Sequence, residues 1–499
     1  MEWGEKVMQE KRMSYEQTDV ILTPEQIERF MTKGYENRDI LPKPSETRNM
    51  ETINFFTLWM GNLHNIPNYA SVGGFIVLGI APFNIMLALI MGAVLVGLLM
   101  GLNGIIGSKY GIPFSMHLRS AYGETGAKLP GFLRGIVTAI GWFGLQTYAG
   151  SQAMLILVAQ IWPGVMTIGG DTQILGISIP GLIMFLIFWA VNVAIGLTGG
   201  EFLNKFNNIL TILIYVLFIG MAIWGVRVAG GFGNILNYQS SSEVTPPNVM
   251  FSYLLVMNAV LAFWSAPTAS VSDFTQNASS TKSQQVGQGV GVIFGYVIFA
   301  FTSMSILIGA SIHYGTEHWD ILTIINNWDS LPAIVFASLT LLLITVNSNA
   351  VANVIPASFQ LNALFPRQLN YKKGVWIASI IGLVIMPWKL MENPDSIYTF
   401  LNAIGAVLGP VLGVLVYQFF VVDKQEIELD ELYFNLNTDE GSRYKGINVN
   451  AYIATLVAVI LSLVGNFIPS LSILSQLSWI VGFLTAVILY SLLTKVNQK

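Results

Sequence analysis

The sequence predicts an all-α integral membrane protein of twelve transmembrane helices. Three observations carry this reading. Of 499 residues 53% are hydrophobic and only 10% charged; apolar runs long enough to span a bilayer recur with short polar breaks; and Lys and Arg fall almost wholly in alternate loops. A soluble domain carries about 25% charged residues. One aqueous core cannot absorb so much apolar surface, so most of residues 52–499 have lipid as their solvent.

The leader, residues 1–51, is the exception, with 8 Lys/Arg and 11 Asp/Glu among the chain's 52 charges. It lacks the basic start, apolar stretch and small-residue cleavage site of a secretory signal, so membrane entry begins at the first internal span. Spans follow at about 53–77, 82–106, 131–162, 176–198, 206–226, 249–271, 286–313, 331–358, 374–391, 396–422, 449–468 and 473–494, the lengths needed to cross ~30 Å of hydrocarbon as helix. The runs are continuously apolar, unlike barrel strands, which alternate. The chain thus divides into the leader (1–51), a first five-helix unit (52–226), a second (249–422), a loop (423–448) and two further helices with a short tail (449–499). Residues 108–130, too polar to span, suit an interfacial or re-entrant connection. The charged loop 423–447 suits a short surface helix.

Counting basic residues by side places 22 Lys/Arg with the N-terminus and only Arg227 and Lys389 opposite. Excess Lys/Arg marks the cytoplasmic face. Both termini are therefore expected there, in a multi-pass protein of a plasma membrane. The absence of cysteine excludes disulfides and thiolate chemistry. No basic patch points to nucleic acid, and no phosphate loop, HExxH or GxSxG motif points to an enzyme.

A polar side chain at membrane depth is costly unless it faces a partner or a cavity, so each one marks a candidate site. The first span reads NFFTLWMGNLHNIPNYASVGG, with Asn62, His64, Asn65, Pro67 and Asn68 together halfway along. Pro67 lacks an N–H and disfavours helical geometry at Ile66, leaving carbonyls near residues 61–64 without intrahelical donors. The sixth span repeats the feature with Trp264-Ser265-Ala266-Pro267-Thr268. Each proline alone can simply kink its helix. Two interrupted spans five apart are also the pattern of inverted five-helix repeats with a midplane site at the breaks.

In the third span, GWFGLQTYAG puts Trp142 and Gln146 one turn apart on one face. Membrane tryptophans gather near span ends, whereas Trp142 is central. An indole beside an amide can stack a flat heterocycle and hydrogen-bond its edge; the alternative is core packing with interhelical bonding. Trp264 carries the same two readings. The eighth span, LLLITVNSNAVANVIPASF, concentrates Asn347, Ser348, Asn349 and Asn353. Helix packing accounts for one or two of these, and four suggest a lined cavity or a cation site of hydroxyl, amide and carbonyl oxygens. No Asp or Glu lies at a span centre, which points to a neutral solute. His64 reads as a packed, neutral imidazole rather than a proton carrier, and Asp273 as a loop anchor or cap.

The stretches LWMGNLHNIPNYASVGG, KYGIPFSMHLRSAYG, GWFGLQTYAG, SDFTQN, ANVIPASFQLNALFP, PWKLMENPDSIYTFLNAIGAVLGP and DKQEIELDELY resemble the first nucleobase-cation symporter family, whose members take up hydantoins, allantoin, purines and pyrimidines. The match runs from about residue 50 to 490, and its first and third stretches look closest to bacterial allantoin permeases. The resemblance implies a leucine-transporter-like fold of two inverted five-helix repeats plus two C-terminal helices. It implies substrate contacts at Trp142, Gln146, Asn65, Trp264, Asn349 and Asn353. It also implies a sodium site at the carbonyls of Gly61, His64 and Ile344 with the side chains of Asn347 and Ser348. Two positions depart from the sodium-coupled hydantoin branch. Asn347 stands where that branch has a hydroxyl, which leaves sodium and proton coupling both open, and Phe263 stands where it has glycine, which reshapes the pocket beside Trp264. The expected activity is cation-coupled import of a small, flat, neutral, nitrogen-rich compound: allantoin first, with hydantoin, uracil, cytosine or a purine as alternatives. The tenth span's start, near 396–405, would gate the outer side. A passive pore is the competing class, and the absence of a charged ring or repeated carbonyl filter argues against it.

Overall fold

Residues 20–35, 37–198, 207–241, 244–364, 368–438 and 441–496 of a computed structural model are described here, and they are mostly helical. Lys205, Glu243, Arg367, Lys499 and the leader before residue 20 lie outside them. Among the described residues eight helices are long and apolar enough to cross a membrane: Pro82–Tyr110, Ile179–Leu197, Ile209–Val228, Thr281–Tyr314, Leu331–Leu361, Pro394–Val422, Val449–Asn466 and Ser478–Lys495. Their outer faces carry side chains such as Leu98, Ile212, Phe294, Leu343, Ile460 and Ile488, each at least half exposed, as lipid-facing surface requires.

The remaining expected spans are the interrupted or more polar ones. The first helix among the described residues of the leader is α1 (Pro24–Thr32), whose Thr23 and Gln26 form a capping box. The first span is two helices, α2 (Thr52–Leu63) and α3 (Ile66–Val77). The second is α4 (Pro82–Asn103), which continues as Ile105–Tyr110, and the polar connection then forms the short, buried helix α5 (Phe114–Tyr122). The third span enters through a π-helical turn at Leu133–Thr138 and continues as α6 (Ala139–Ile161), which carries Gln146, Thr147, Ser151 and Gln152. A β-hairpin pairing Gln173–Ile174 with Ile177–Ser178 precedes α7 (Ile179–Leu197), so that span starts a few residues later than expected; α8 (Asn207–Val228) follows.

The sixth span is α9 (Val249–Phe263) and α10 (Ser265–Ala269). α11 (Thr281–Tyr314) has 34 residues and overshoots its expected bounds, since its buried Gln284 binds the Gly101 carbonyl at 3.1 Å. The eighth span is α12 (Leu331–Asn349), a π-helical turn at Ala350–Val354, and α13 (Ile355–Leu364). α14 (Tyr371–Val384) ends short of its expected limit because Met386 takes a left-handed conformation before Pro387. α15 (Pro394–Tyr417), α16 (Val449–Leu463) and α17 (Ser478–Val496) complete the chain. Close crossings rest on glycine: a Cβ at Gly225 of α8 would fall on the Ser305 carbonyl of α11, and one at Gly309 would lie 2.5 Å from the Gly225 carbonyl.

The three polar stretches that the Lys/Arg count assigns to one side pack together as a cap. Phe30 and Tyr35 of the leader meet Tyr433 of the 423–447 loop at ring separations of 4.5 and 5.1 Å. The Tyr433 hydroxyl donates to the Ile40 carbonyl at 2.6 Å, and Lys33 pairs with Asp430 at 2.7 Å. Arg119 of α5, buried, places its guanidinium 4.5 Å from the Phe434 ring centre and 5.3 Å from that of Tyr35, a desolvated cation held by aromatic faces. On the opposite side Trp388 Nε1 donates to the hairpin carbonyl of Leu175 at 2.9 Å.

Removing the Tyr433 ring deletes a buried aromatic side chain worth about 3 kcal/mol. Tyr433→Ala should therefore loosen the leader. Limited trypsin digestion in detergent should cut after Lys33 and Arg38 on the order of tenfold faster than in the unaltered protein, whereas equal rates would mean the cap does not hold the leader.

Candidate functional site

The first span opens where Pro67 requires it. His64 (φ −84°, ψ 94°) and Asn65 (φ −141°, ψ 157°) are extended, and Pro67 sits in the first turn of α3, where its missing N–H costs nothing. The segment's own amides take up freed backbone groups. Asn65 caps α3, its Oδ1 accepting from the Asn68 N–H at 3.0 Å, while its Nδ2 donates to the Asn62 carbonyl at 3.1 Å. Asn68 Nδ2 donates to the Leu63 carbonyl at 3.0 Å, and the Tyr215 hydroxyl reaches the Met60 carbonyl at 3.2 Å. The carbonyls of Gly61 and His64 receive no donor among the described residues.

His64 is fully buried. Its Nδ1 shares a hydrogen bond of 2.8 Å with the Tyr69 hydroxyl, its Nε2 has no partner, and Tyr215, Phe218 and Phe299 surround the ring at 4.9–5.6 Å. That is the packed imidazole expected from the sequence.

The sixth-span break is milder. Trp264 leaves helical geometry between α9 and α10 but still donates its N–H to the Val260 carbonyl. Its indole Nε1 donates to Tyr296 at 2.8 Å, which pins the ring.

Between the two breaks lies a cavity of about 410 Å³. Trp142, Gln146, Asn65, Trp264 and Asn353 all line it, as do Phe263 and Ser348. Phe263 stands edge-on to Trp142 at 4.9 Å and lies 6.3 Å from Trp264, so it packs against both indoles. Gln146 Oε1 accepts from the Ser348 hydroxyl at 2.9 Å. Asn349 does not line the cavity. Its amide donates toward Phe143, Thr147 and Asn192 and its Oδ1 accepts from Asn353 at 2.9 Å, which ties α12 to α6 and α7. Gly61 packs against Thr211 of α8, and Ile344 is buried within α12.

The cavity opens toward the cap, since Asn37, Asp39, Ile40 and Lys43 of the leader join its lining. Its far side is closed by α15. The Tyr398 hydroxyl donates to the Ser71 carbonyl at 2.7 Å and the Phe400 ring meets Trp142 at 5.1 Å. The charged lining residues are Asp39, Lys43, Arg134 and Asp273, two of each sign. Asp273 is an anchor: its Oδ1 accepts from the Phe114 N–H at 2.8 Å at the start of α5. Burial pushes its carboxyl up to about 6, against that hydrogen bond and the Arg134 charge.

Trp59, edge-on to Trp264 at 5.6 Å, also faces the cavity. It stands within the same first-span motif, one turn before the break, and that position is its signal in the sequence. Arg134 enters the sequence argument only as a cytoplasmic charge, and its place in the lining comes from the fold.

Two interrupted helices around a cavity open on one side define a membrane permease. Residues 42–482 match the family described as permeases for cytosine/purines, uracil, thiamine and allantoin, and the chain belongs to that family. It is 53% identical over 470 residues to a provisionally named allantoin permease of Escherichia coli (strain K12), covering 93% of this chain and 96% of that one. It is 36% identical over 464 residues to the allantoin permease of Bacillus subtilis (strain 168), covering 92% and 93%. Among solved structures it resembles Mhp1, a nucleobase-cation-symport-1 family transporter, in its inward-facing and its closed, bromovinylhydantoin-bound conformations. The TM-score is 0.72 to each at 20% identity, over 92% of this chain and 94% and 95% of Mhp1.

The two eighth-span amides predict different phenotypes. Asn349→Ala leaves several buried polar groups unpaired at about 1–3 kcal/mol each, so its melting temperature in detergent should fall by several degrees. Asn353→Ala removes one bond at the cavity wall and should fall by less than half as much. Equal losses would show that the two amides share one role.

Proposed function

We propose that the protein is a secondary active importer that carries allantoin, or a hydantoin, uracil, cytosine or purine of similar size, together with a cation across a bacterial cytoplasmic membrane. The observation that carries this reading is the cavity between the broken spans, where Trp142 and Trp264 offer aromatic faces and Gln146 and Asn353 offer amide edges. Flat heterocycles with alternating N–H and C=O groups are recognised by such pairs of surfaces. The lining charges balance, which suits a neutral solute. The names of the two bacterial relatives favour allantoin among the candidates.

In this reading the chain has twelve spans: two inverted five-helix repeats (52–226 and 249–422) and two further helices, with both termini cytoplasmic. Substrate enters from outside when the α15 start lifts from α3 and leaves through the mouth beneath the leader, by alternating access. The coupling cation, sodium or a proton, belongs at the junction of the first and eighth spans. The unbonded carbonyls of Gly61 and His64 suit a small hard cation. Ile344, Asn347 and Ser348 would complete that site. The Ser348 hydroxyl donates its proton to Gln146 at 2.9 Å, which leaves its oxygen lone pairs for a cation and would join the cation site to the substrate site through one side chain.

Counterflow in proteoliposomes tests this. Labelled allantoin should exchange against internal allantoin and be competed by hydantoin or nucleobases, and a sodium or proton gradient should drive accumulation. Trp142→Ala and Gln146→Ala should each cut uptake by roughly fivefold to 150-fold, since each removes a contact worth about 1–3 kcal/mol. Uptake retained in both variants would remove them from the site, and failure of every compound in the panel to exchange would end the functional reading.

A further inference from the structure

Below the ring site, at the level of the sixth-span break, two oppositely charged side chains face the same cavity without bonding each other. Arg134 is 7% exposed. Its Nε donates to the Ala266 carbonyl at 2.8 Å and to the Ser270 hydroxyl at 3.0 Å, which fixes the guanidinium against α10 beside Trp264. Its two terminal nitrogens have no acceptor among the described residues, and the side chain lines the cavity. Asp273 has one oxygen on the Phe114 N–H, and the other receives no donor. The two residues are not among the ion pairs of the described residues. Gln276 joins this part of the lining, with its Oε1 buried and without a donor.

The guanidinium N–H groups and the second Asp273 oxygen thus face the cavity, where a ligand can take the place of water. Each has room for a ligand that the ring site does not use. A cation would be repelled by Arg134 and an anion by Asp273, so a neutral group carrying both a strong acceptor and N–H donors fits best. A ureido group, –NH–CO–NH₂, has this pattern. Its carbonyl oxygen matches the guanidinium donors, and its N–H groups match the acceptor oxygens of Asp273 and Gln276.

We propose that Arg134, Asp273 and Gln276 form an inner subsite that binds the ureido substituent of a ureide whose ring lies against Trp142. The inference rests on the proposed function and sharpens it. Allantoin is a hydantoin ring bearing a ureido group, so the ring site alone accepts both compounds while the inner subsite separates them. Arg134 and Asp273 are then specificity-determining residues: they set which ring compounds are held tightly, while the stacking surfaces decide that a ring is held at all.

The test uses the purified full chain and two probes. First, allantoin and hydantoin affinities are compared by tryptophan fluorescence in the unaltered protein, in Arg134→Gln and in Asp273→Asn, whose amide oxygen can still accept from the Phe114 N–H. The ratio of allantoin to hydantoin affinity should fall about tenfold in each variant, as expected for one hydrogen bond to a charged group. An unchanged ratio overturns the subsite. Second, in the unaltered protein, modification of Arg134 by phenylglyoxal is followed by mass spectrometry with and without N-methylurea, a ureide that has no ring. Methylurea should slow modification at Arg134 severalfold while arginines outside the cavity react at the same rate, and equal rates at Arg134 overturn the proposal. Because methylurea needs no ring site, protection without binding of either ring compound would sink the functional reading while leaving the subsite in place.

Discussion

A helix can be opened inside hydrocarbon only if each freed main-chain group finds a new partner, because an orphaned one costs several kcal/mol. The first span meets this condition with side chains drawn from its own sequence. Asn65 and Asn68 turn back onto the carbonyls of Asn62 and Leu63, and Tyr215 reaches in from α8. These amides therefore make the interruption survivable before they make anything else. Where α2 stops and α3 starts determines where Trp59 and Asn65 meet the cavity and leaves two carbonyls, at Gly61 and His64, outside the arrangement.

The same economy of polar groups separates scaffold from site in the eighth span. Asn349 and Asn353 differ by one turn, yet the first is wholly engaged by α6 and α7 while the second reaches the cavity wall. Asn353 lies within the π-helical turn Ala350–Val354, and across the cavity Arg134 lies within the turn Leu133–Thr138. Such wide turns are frequent at functional sites because they re-aim a side chain without ending the helix.

Much of the fold was legible because its causes are local. Apolar runs mark the long helices, Pro67 and Pro267 mark the interruptions, and the basic residues correctly group the leader, the 108–130 connection and the 423–447 loop on one side. What could not be read depends on partners remote in sequence. The Arg134 guanidinium is fixed by a carbonyl 132 residues away; nothing near it in the chain tells a lining arginine from an interfacial one. The division between Asn349 and Asn353 follows from how closely α7 approaches, which periodicity does not encode. The leader's contribution to the cavity wall is equally non-local, since it follows from aromatic contacts with Tyr433 at the far end of the chain.

α15 begins with Tyr398 against α3 on the closed side, and the helical segment that starts with it reaches Val422 beside the cap, where Phe419 is buried with the leader. One rod thus carries the contact that closes one side of the cavity at one tip and the anchorage beside the cap at the other, with Pro410 inside it against Gly482 of α17. The closed side of the cavity and the cap are therefore joined by one continuous helical element rather than by a relay of contacts between elements.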